Sequence, residues 1–184
     1  MVGNNHFLQD SDNLKHISKE QLVSNYKDAV YRFCISLVYM KQDADDLFQD
    51  TYLSALGKTD KINASENPLG FLLSIATSIW KSRKRKYARR NKIAPETELD
   101  ETCYAAETGP EDEAISNEEI LKVRQMVDDL PDKFKAAIVM YYTIDMDIRE
   151  IAAVLGLPTG TVKSRLSRAR GIIRKGLVEE YGND

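Results

Sequence analysis

The chain has few of the residues on which catalysis and metal binding usually depend. Of its 184 residues only two are histidines and two are cysteines. Both histidines, His6 and His16, lie near the N-terminus, and the cysteines, Cys34 and Cys103, lack the spacing of metal ligands. The sequence also lacks a nucleotide-binding glycine loop. We therefore expect no catalytic site, no metal, no cofactor and no small-molecule substrate.

Long hydrophobic segments are missing as well. No apolar run approaches the roughly 18 residues needed to span a bilayer, and residues 1–13 are too polar for a signal peptide. The two cysteines are far apart, and Cys34 lies in an apolar helical pattern, which fits free thiols in a reducing compartment. We expect a cytoplasmic protein without direct membrane insertion.

Charge, by contrast, is plentiful and strongly segregated along the chain. The net charge is only −3, yet residues 81–92 (KSRKRKYARRNK) contain many bases and no acid. Residues 93–119 contain many acids and no base, and residues 93–116 show no helical period. We expect residues 93–116 to form a flexible acidic linker, extended by charge repulsion. Basic surfaces on either side of such a linker suit a protein that contacts a polyanion at two places.

Nearly all the remaining sequence has helical periodicity, and strand-type alternation is absent. We expect an all-α fold of two small helical domains, residues 14–92 and 117–181, each with its own core. In the first domain the apolar spacing predicts helices over residues 18–40, 43–56 and 68–90, with a polar loop at 58–67. In the second domain we expect a helix with apolar Ile120, Val123, Val127 and Leu130, followed by one from about Pro131 through Tyr141.

Residues 147–170 (DIREIAAVLGLPTGTVKSRLSRAR) predict a helix-turn-helix. Asp147 can cap the first helix, Gly156 can end it in a left-handed conformation, and Pro158 reinforces the break. In the second helix an apolar seam recurs at helical spacing, formed by Val162, Leu166, Ala169 and Ile173.

The remaining surface of this second helix is basic and hydroxylic. Outside the seam lie Lys163, Ser164, Ser167, Arg168 and Arg170. There is no acid from Gly160 to Val178, so the helix is suited to phosphates and base edges in a DNA major groove. The alternative is an ordinary helical hairpin with a solvated basic face.

The first domain has two further candidate surfaces. On the helix over residues 43–56, Asp46, Gln49, Asp50 and Leu53 share one face. This is either a solvated face or a docking face for a basic partner helix, and composition does not decide between them.

The helix over residues 68–90 is apolar as far as Trp80 and then strongly basic. Its bases could neutralise DNA phosphates, or they could be a solubilising tract. In the preceding loop four side chains could hydrogen-bond an unstacked base, namely Asn63, Ser65, Glu66 and Asn67.

With both halves in place, the chain resembles the bacterial extracytoplasmic-function (ECF) sigma factors, which keep only the second and fourth conserved sigma domains. The resemblance covers roughly residues 14–181. GTVKSRLSRAR at 160–170 is similar to the promoter-recognition helix of that family. DADDLFQDTYL at 43–53 is similar to the segment that grips the polymerase clamp helices, and FLLSIATSIWKSRKRK at 71–86 to the helix that contacts the −10 element.

The resemblance implies three sets of site residues. The −35 element would be bound by Thr161, Lys163, Ser164, Arg165, Ser167 and Arg168. The −10 element, with one base flipped out, would be bound by Asn63, Ser65, Asn67, Ser78, Lys81, Arg83 and Arg85. RNA polymerase would be bound by Asp46, Leu47, Gln49, Asp50 and Leu53.

The resemblance also implies a function and partners. The chain would bind core RNA polymerase, direct it to promoter DNA through the −35 and −10 elements, and help to melt the −10 region. A further partner would be an anti-sigma factor, often membrane-bound in this family. The alternative is a conventional helix-turn-helix regulator that binds duplex DNA without polymerase.

Overall fold

The computed structural model describes residues 18–63, 67–93 and 117–182, and all regular structure in these ranges is α-helical. The predicted linker, apart from its first residue, lies outside the described residues, as do Cys103 and Ser65. The helices are α1 (Lys19–Leu37), α2 (Lys41–Leu56), α3 (Thr59–Asn63), α4 (Pro68–Ile93), α5 (Asn117–Asp128), α6 (Asp132–Tyr142), α7 (Ile148–Leu155) and α8 (Thr159–Tyr181).

The N-terminal half is a bundle in which α1, α2 and α4 pack against one another. α1 begins with a capping box, in which the Ser18 side chain accepts from the Gln21 N–H and the Gln21 side chain accepts from the Ser18 N–H. It ends three residues earlier than predicted, because Val38 turns to extended backbone at φ −124°. Its apolar face is buried, with Leu22, Val30, Phe33 and Leu37 in the core.

The segment predicted as a polar loop at 58–67 is partly helical. α3 occupies Thr59–Asn63, and Ile62 within it is fully buried. A single apolar residue in a polar stretch has no periodicity, so only the neighbouring helices α2 and α4, which α3 contacts, create its buried site.

α4 is the longest of these eight helices and begins where the sequence predicted. Asn67 caps it, since its side-chain Oδ1 accepts the Gly70 N–H at 2.7 Å, and Pro68 occupies the first helical position, where no N–H is needed. Its apolar half is buried as far as Trp80 and its basic half is mostly exposed. It continues to Ile93, one residue into the predicted linker.

In the C-terminal half α6 is the central helix, and residues 134–140 of it are all buried. α8 packs on α5, α6 and α7. Only part of the apolar face predicted for α5 is buried. Leu130, which follows the helix, is buried, whereas Ile120 and Val123 are largely exposed.

The two halves do not form separate cores as predicted. α4 contacts α7, α1 contacts α6, and their buried side chains belong to one continuous cluster. Gly70 allows the close approach of α4 and α7, since a Cβ there would lie 3.1 Å from a methyl carbon of Val154. Arg124 of α5 also donates to the backbone carbonyl of Ile35 at 3.4 Å. Each small bundle alone would leave apolar side chains in contact with water. Packing against the other half buries these side chains, which stabilises the arrangement.

Candidate DNA and polymerase interfaces

The helix-turn-helix is built as its sequence predicts. Asp147 accepts the N–H groups of Arg149 (2.6 Å) and Glu150 (2.8 Å), and Glu150 accepts the Asp147 N–H (2.8 Å), which completes a capping box. α7 ends at Gly156 in the left-handed conformation, with φ 63° and ψ 42°. The Leu157 N–H then donates to the carbonyl of Ala152 at 2.9 Å, as in a Schellman motif. These local bonds fix the turn from which α8 starts.

α8 presents its chemistry on two distinct sides. Val162, Leu166 and Ala169 are buried, and Ile173 is half-buried, so the predicted seam is confirmed. The exposed side carries Lys163, Ser164, Ser167, Arg168 and Arg170, and Thr161 is half-buried beside it. This side is open to a ligand, and its first turns hold cations and hydroxyl groups without an acid.

Arg165 differs from its neighbours because it also has a structural contact. Its guanidinium Nη1 donates to the backbone carbonyl of Lys133, at the start of α6, at 3.3 Å. It also lies near Lys81 of α4, whose ammonium pKa is lowered by burial and then by the positive charge of Arg165. One cation of each predicted DNA surface is therefore close enough for their charges to interact.

On α4 the predicted −10 residues differ in their accessibility. Ser78 and Arg85 are exposed, whereas Lys81 and Arg83 are half-buried. Arg83 forms an ion pair with Asp50 of α2, at 2.6 Å between Nη2 and Oδ2. The structure thus joins a residue of the predicted −10 set to a residue of the predicted polymerase set.

The predicted base-capture loop is described only in part. Ser65 lies outside the described residues. Asn63 is the last residue of α3, and only its backbone is described. Asn67 is half-buried and its Oδ1 accepts the Gly70 N–H as the cap of α4. The side chain of Asn67 therefore also has a structural role as the cap of α4.

On α2 the predicted polymerase face is exposed with one exception. Asp46, Gln49 and Asp50 are exposed, and Leu53 keeps 70% of its surface accessible. Leu47 is fully buried in the core, so it cannot itself contact a partner. Its inclusion in the contact set was wrong for a geometric reason: position 47 lies on the inner side of α2, and its side chain supports the exposed face from beneath.

A cleft of about 860 Å³ between the two halves was not predicted. Trp80, Lys84 and Tyr87 of α4 line one side, and Asp128 and Lys135 lie on the other. Lys84 spans it, with Nζ 5.4 Å from the Trp80 ring centroid and 2.5 Å from Oδ1 of Asp132. On the side of the cleft opposite α4, the sequence gives one indication of a buried charge. This is Lys135, which lies within the otherwise apolar run FKAAIVM.

Lys135 is the principal buried cation of this cleft. Its Nζ lies 2.6 Å from Oδ1 of Asp128, and the two side chains are only 4% and 10% exposed. Burial lowers the pKa of Lys135, and the hydrogen bond and charge of Asp128 oppose that shift. The second oxygen of Asp128 is buried without a hydrogen-bond partner.

Across residues 18–63, 67–93 and 117–182, no group of three or more His, Cys, Asp or Glu side chains is placed to hold a metal ion. In the same part of the chain every helix is too short or too polar to cross a bilayer.

Two family models match the chain, one in each half. The model for "Sigma-70 region 2" matches residues 22–90, which include α2 and the basic half of α4. The model for "Sigma-70, region 4" matches residues 120–172, which include the helix-turn-helix.

Individual proteins give the same result over most of the chain. The ECF RNA polymerase sigma factor SigW of Bacillus subtilis is 30% identical over 162 residues, covering 85% of this chain and 87% of SigW. The fold is similar to that of the sigma factor RpoE of Bartonella quintana, solved in complex with the anti-sigma factor NepR. The TM-score is 0.72 at 26% identity, and the match covers 86% of this chain and 95% of RpoE.

A third comparison supports the fold alone. CnrH, solved in complex with the cytosolic domain of CnrY, has a TM-score of 0.61 at 23% identity, over 89% of this chain and 88% of CnrH. Taken with the capped helix-turn-helix, the basic face of α8 and the exposed face of α2, these matches show that the chain belongs to the ECF family of RNA polymerase sigma factors.

Proposed function

We propose that this sigma factor binds core RNA polymerase through α2 and reads promoter DNA through α4 and α8. The observation that supports this best is the division of α8 into a buried apolar seam and an exposed side of cations and hydroxyl groups. If this side of α8 were only a solvent-exposed face of a helical hairpin, it would not need to lack acidic residues from Gly160 to Val178.

The −35 element is the proposed ligand of α8. Lys163 and Arg168 are its exposed cations, and Ser164 and Ser167 are its exposed hydroxyl groups. The Ser164 hydroxyl donates to the Thr161 carbonyl at 2.8 Å, which leaves its oxygen lone pairs to accept from DNA. Arg165 keeps donors beyond the one it gives to Lys133, because a guanidinium has five N–H groups.

The −10 element is the proposed ligand of the loop before α4 and of the basic half of α4. Ser78 and Arg85 are free to approach it, and Lys81 and Arg83 can follow if they leave their present neighbours. Asn63, Ser65 and Asn67 remain the proposed ligands of a flipped base. Asn67 would combine this role with its contact as the cap of α4.

The exposed face of α2 is the proposed polymerase contact. Asp46, Gln49 and Asp50 offer carboxylate and amide groups to basic side chains of the polymerase, and Leu53 adds apolar contact. Docking would then hold two weak DNA-binding surfaces on one tether, and the second contact forms at a raised effective concentration.

Regulation and cell location belong to the same proposal. The similar RpoE was solved with an anti-sigma factor, and we propose that this chain has an anti-sigma factor too. It would work in the cytoplasm and would be held at the membrane when a membrane-bound inhibitor binds it. It would have no catalytic site of its own, since docking and DNA binding supply the free energy of promoter recognition.

Transcription with reconstituted polymerase tests the −35 assignment. Truncation of one base-contacting side chain costs about 1–3 kcal/mol, so Lys163→Ala or Arg168→Ala should lower −35-dependent transcription by about 5- to 150-fold. Lys175→Ala is the matched control, because Lys175 is a highly exposed cation further along the same helix. Normal transcription by both variants would show that α8 does not read the promoter through these residues.

A gel shift with and without core enzyme separates this function from that of a conventional regulator. We expect a specific complex only when polymerase is present. A tight, sequence-specific complex of the chain alone with duplex DNA would favour the conventional helix-turn-helix regulator instead. Asp46→Ala and Gln49→Ala should weaken co-purification with core polymerase, and unchanged co-purification would contradict the role of α2.

A further inference from the structure

Asp50 lies at a junction of two surfaces that the proposed function uses separately. It is exposed on the same face of α2 as Asp46, Gln49 and Leu53. It also accepts a charge-assisted hydrogen bond from Arg83 of α4, at 2.6 Å, across 33 residues of sequence. The two side chains keep 50% and 37% of their surface accessible, so the pair is within reach of other molecules.

We propose that Asp50 couples polymerase docking to DNA contact. In the free protein it holds Arg83, and a cationic side chain of the polymerase that binds Asp50 displaces Arg83 and releases it for the DNA backbone. This inference rests on the proposed function, because it assumes that the exposed face of α2 is the polymerase contact.

The charges around the pair favour displacement over a shared carboxylate. A second cation drawn to Asp50 would lie close to the Arg83 guanidinium, and like charges at such a separation repel each other. The nearby Cys34 thiol gives Arg83 no alternative counter-ion, since burial raises the pKa of Cys34 to about 12 and keeps the thiol neutral. Arg85 and Lys86 lie within one helical turn after Arg83 on α4 and are exposed, so a released Arg83 joins an existing cationic surface.

The freed guanidinium is well suited to the proposed ligand. It presents five N–H donors in a planar fork that matches phosphate oxygens. By thermodynamic linkage, if polymerase binding weakens the pair, then loss of the pair must strengthen polymerase binding by the same factor. Both directions can be measured.

Asp46 supplies a matched control for the DNA experiment. It lies one helical turn before Asp50 on the same exposed face, and in the part of the chain that the structure describes it has no ion pair. Asp50→Asn and Asp46→Asn therefore remove the same charge from the same surface, but only the first frees Arg83.

The first measurement is the affinity of the full chain, without polymerase, for a labelled single-stranded oligonucleotide of mixed sequence. We expect D50N to bind more tightly than D46N by about 1.5- to 5-fold, the range of one exposed ion pair. For D50N the slope of log K against the logarithm of the salt concentration should be steeper by about 0.7 than for D46N. This is the change expected for one added phosphate contact to a single strand. In an Arg83→Ala background the two variants should bind alike.

Equal affinities of D50N and D46N would overturn the coupling, and so would a difference that persists in the Arg83→Ala background. The second measurement is the affinity for core polymerase, where Arg83→Ala should bind about 1.5- to 5-fold more tightly than the unchanged protein. Weaker or unchanged binding would mean that Arg83 orients Asp50 or plays no part in docking, and it would overturn the proposal.

These outcomes are distinguishable from failure of the proposed function. An unchanged protein that does not bind core polymerase would defeat the proposed function and the coupling with it. Normal core binding together with equal D50N and D46N affinities would defeat the coupling alone.

Discussion

Replacement of Gly156 by alanine should destabilise the protein by about 1 kcal/mol, for a reason that lies entirely in the backbone. Gly156 has φ 63° and ψ 42°, and a Cβ built on it meets no atom within 4 Å. The left-handed conformation costs a residue with a Cβ about 1–2 kcal/mol. Alanine also restricts the unfolded chain, which returns about 0.4–1 kcal/mol. The net loss is therefore about 1 kcal/mol.

Gly156→Asn is the control that separates conformation from side-chain size. Asparagine is larger than alanine, but it tolerates the left-handed region because its side chain can hydrogen-bond locally. We expect it to lose clearly less stability than Gly156→Ala. Urea unfolding followed by circular dichroism measures both variants. With a slope of about 1–3 kcal/mol per molar, a loss of 1 kcal/mol moves the midpoint by about 0.3–1 M.

Two results would refute this reasoning. An unchanged midpoint for Gly156→Ala would mean that the turn between α7 and α8 does not require the left-handed backbone. An asparagine variant as unstable as the alanine variant, or a loss above about 3 kcal/mol in either, would point to a steric contact that the structure does not contain.

Two further predictions concern buried ionisable groups. Because burial raises the pKa of Cys34 from 9.0 to about 12, its contribution to stability is complete below pH 9 and is lost as the pH rises towards 12. Between pH 8 and pH 10 this group should lower the free energy of unfolding by about 1.4 kcal/mol. The Cys34→Ala variant should not show this decrease. The same dependence of the unfolding free energy on pH in both proteins would contradict the prediction. Lys135→Ala should cost about 3–5 kcal/mol in urea unfolding, because it leaves the Asp128 carboxylate buried without its partner. Replacing both residues, as Lys135→Met with Asp128→Leu, should recover most of that loss, and equal instability of the single and double variants would rule out the uncompensated charge as the cause.

Local features of the sequence predicted local structure well. Asp147 caps α7 with the bonds expected of it, and Gly156 is left-handed, because both effects depend only on residues within one helical turn. The seam of α8 is buried for the same kind of reason, since helical spacing alone places Val162, Leu166 and Ala169 on one side.

The errors arose where a residue's role depends on a neighbouring helix. Leu47 belongs to a segment that resembles a polymerase contact, but the packing of α1 and α4 around α2 buries it. The sequence around Ile62 predicts a polar loop, but Ile62 is buried because α3 contacts α2 and α4. Each half was expected to have its own core, but the buried side chains of the two halves form one cluster, because α4 packs on α7 and α1 on α6.

The sequence by itself determined the all-helical character, the capped turn and the chemistry of each helical face, because these depend on short-range spacing and composition. Its resemblance to a known family, through motifs such as GTVKSRLSRAR, indicated the function. Tertiary structure alone decided which charges meet. Arg83 pairs with Asp50 and Lys84 with Asp132, although the partners of each pair are separated by more than thirty residues. Such pairs depend on the angles at which helices cross, and those angles follow from how side chains interlock across the whole core, which no local pattern specifies.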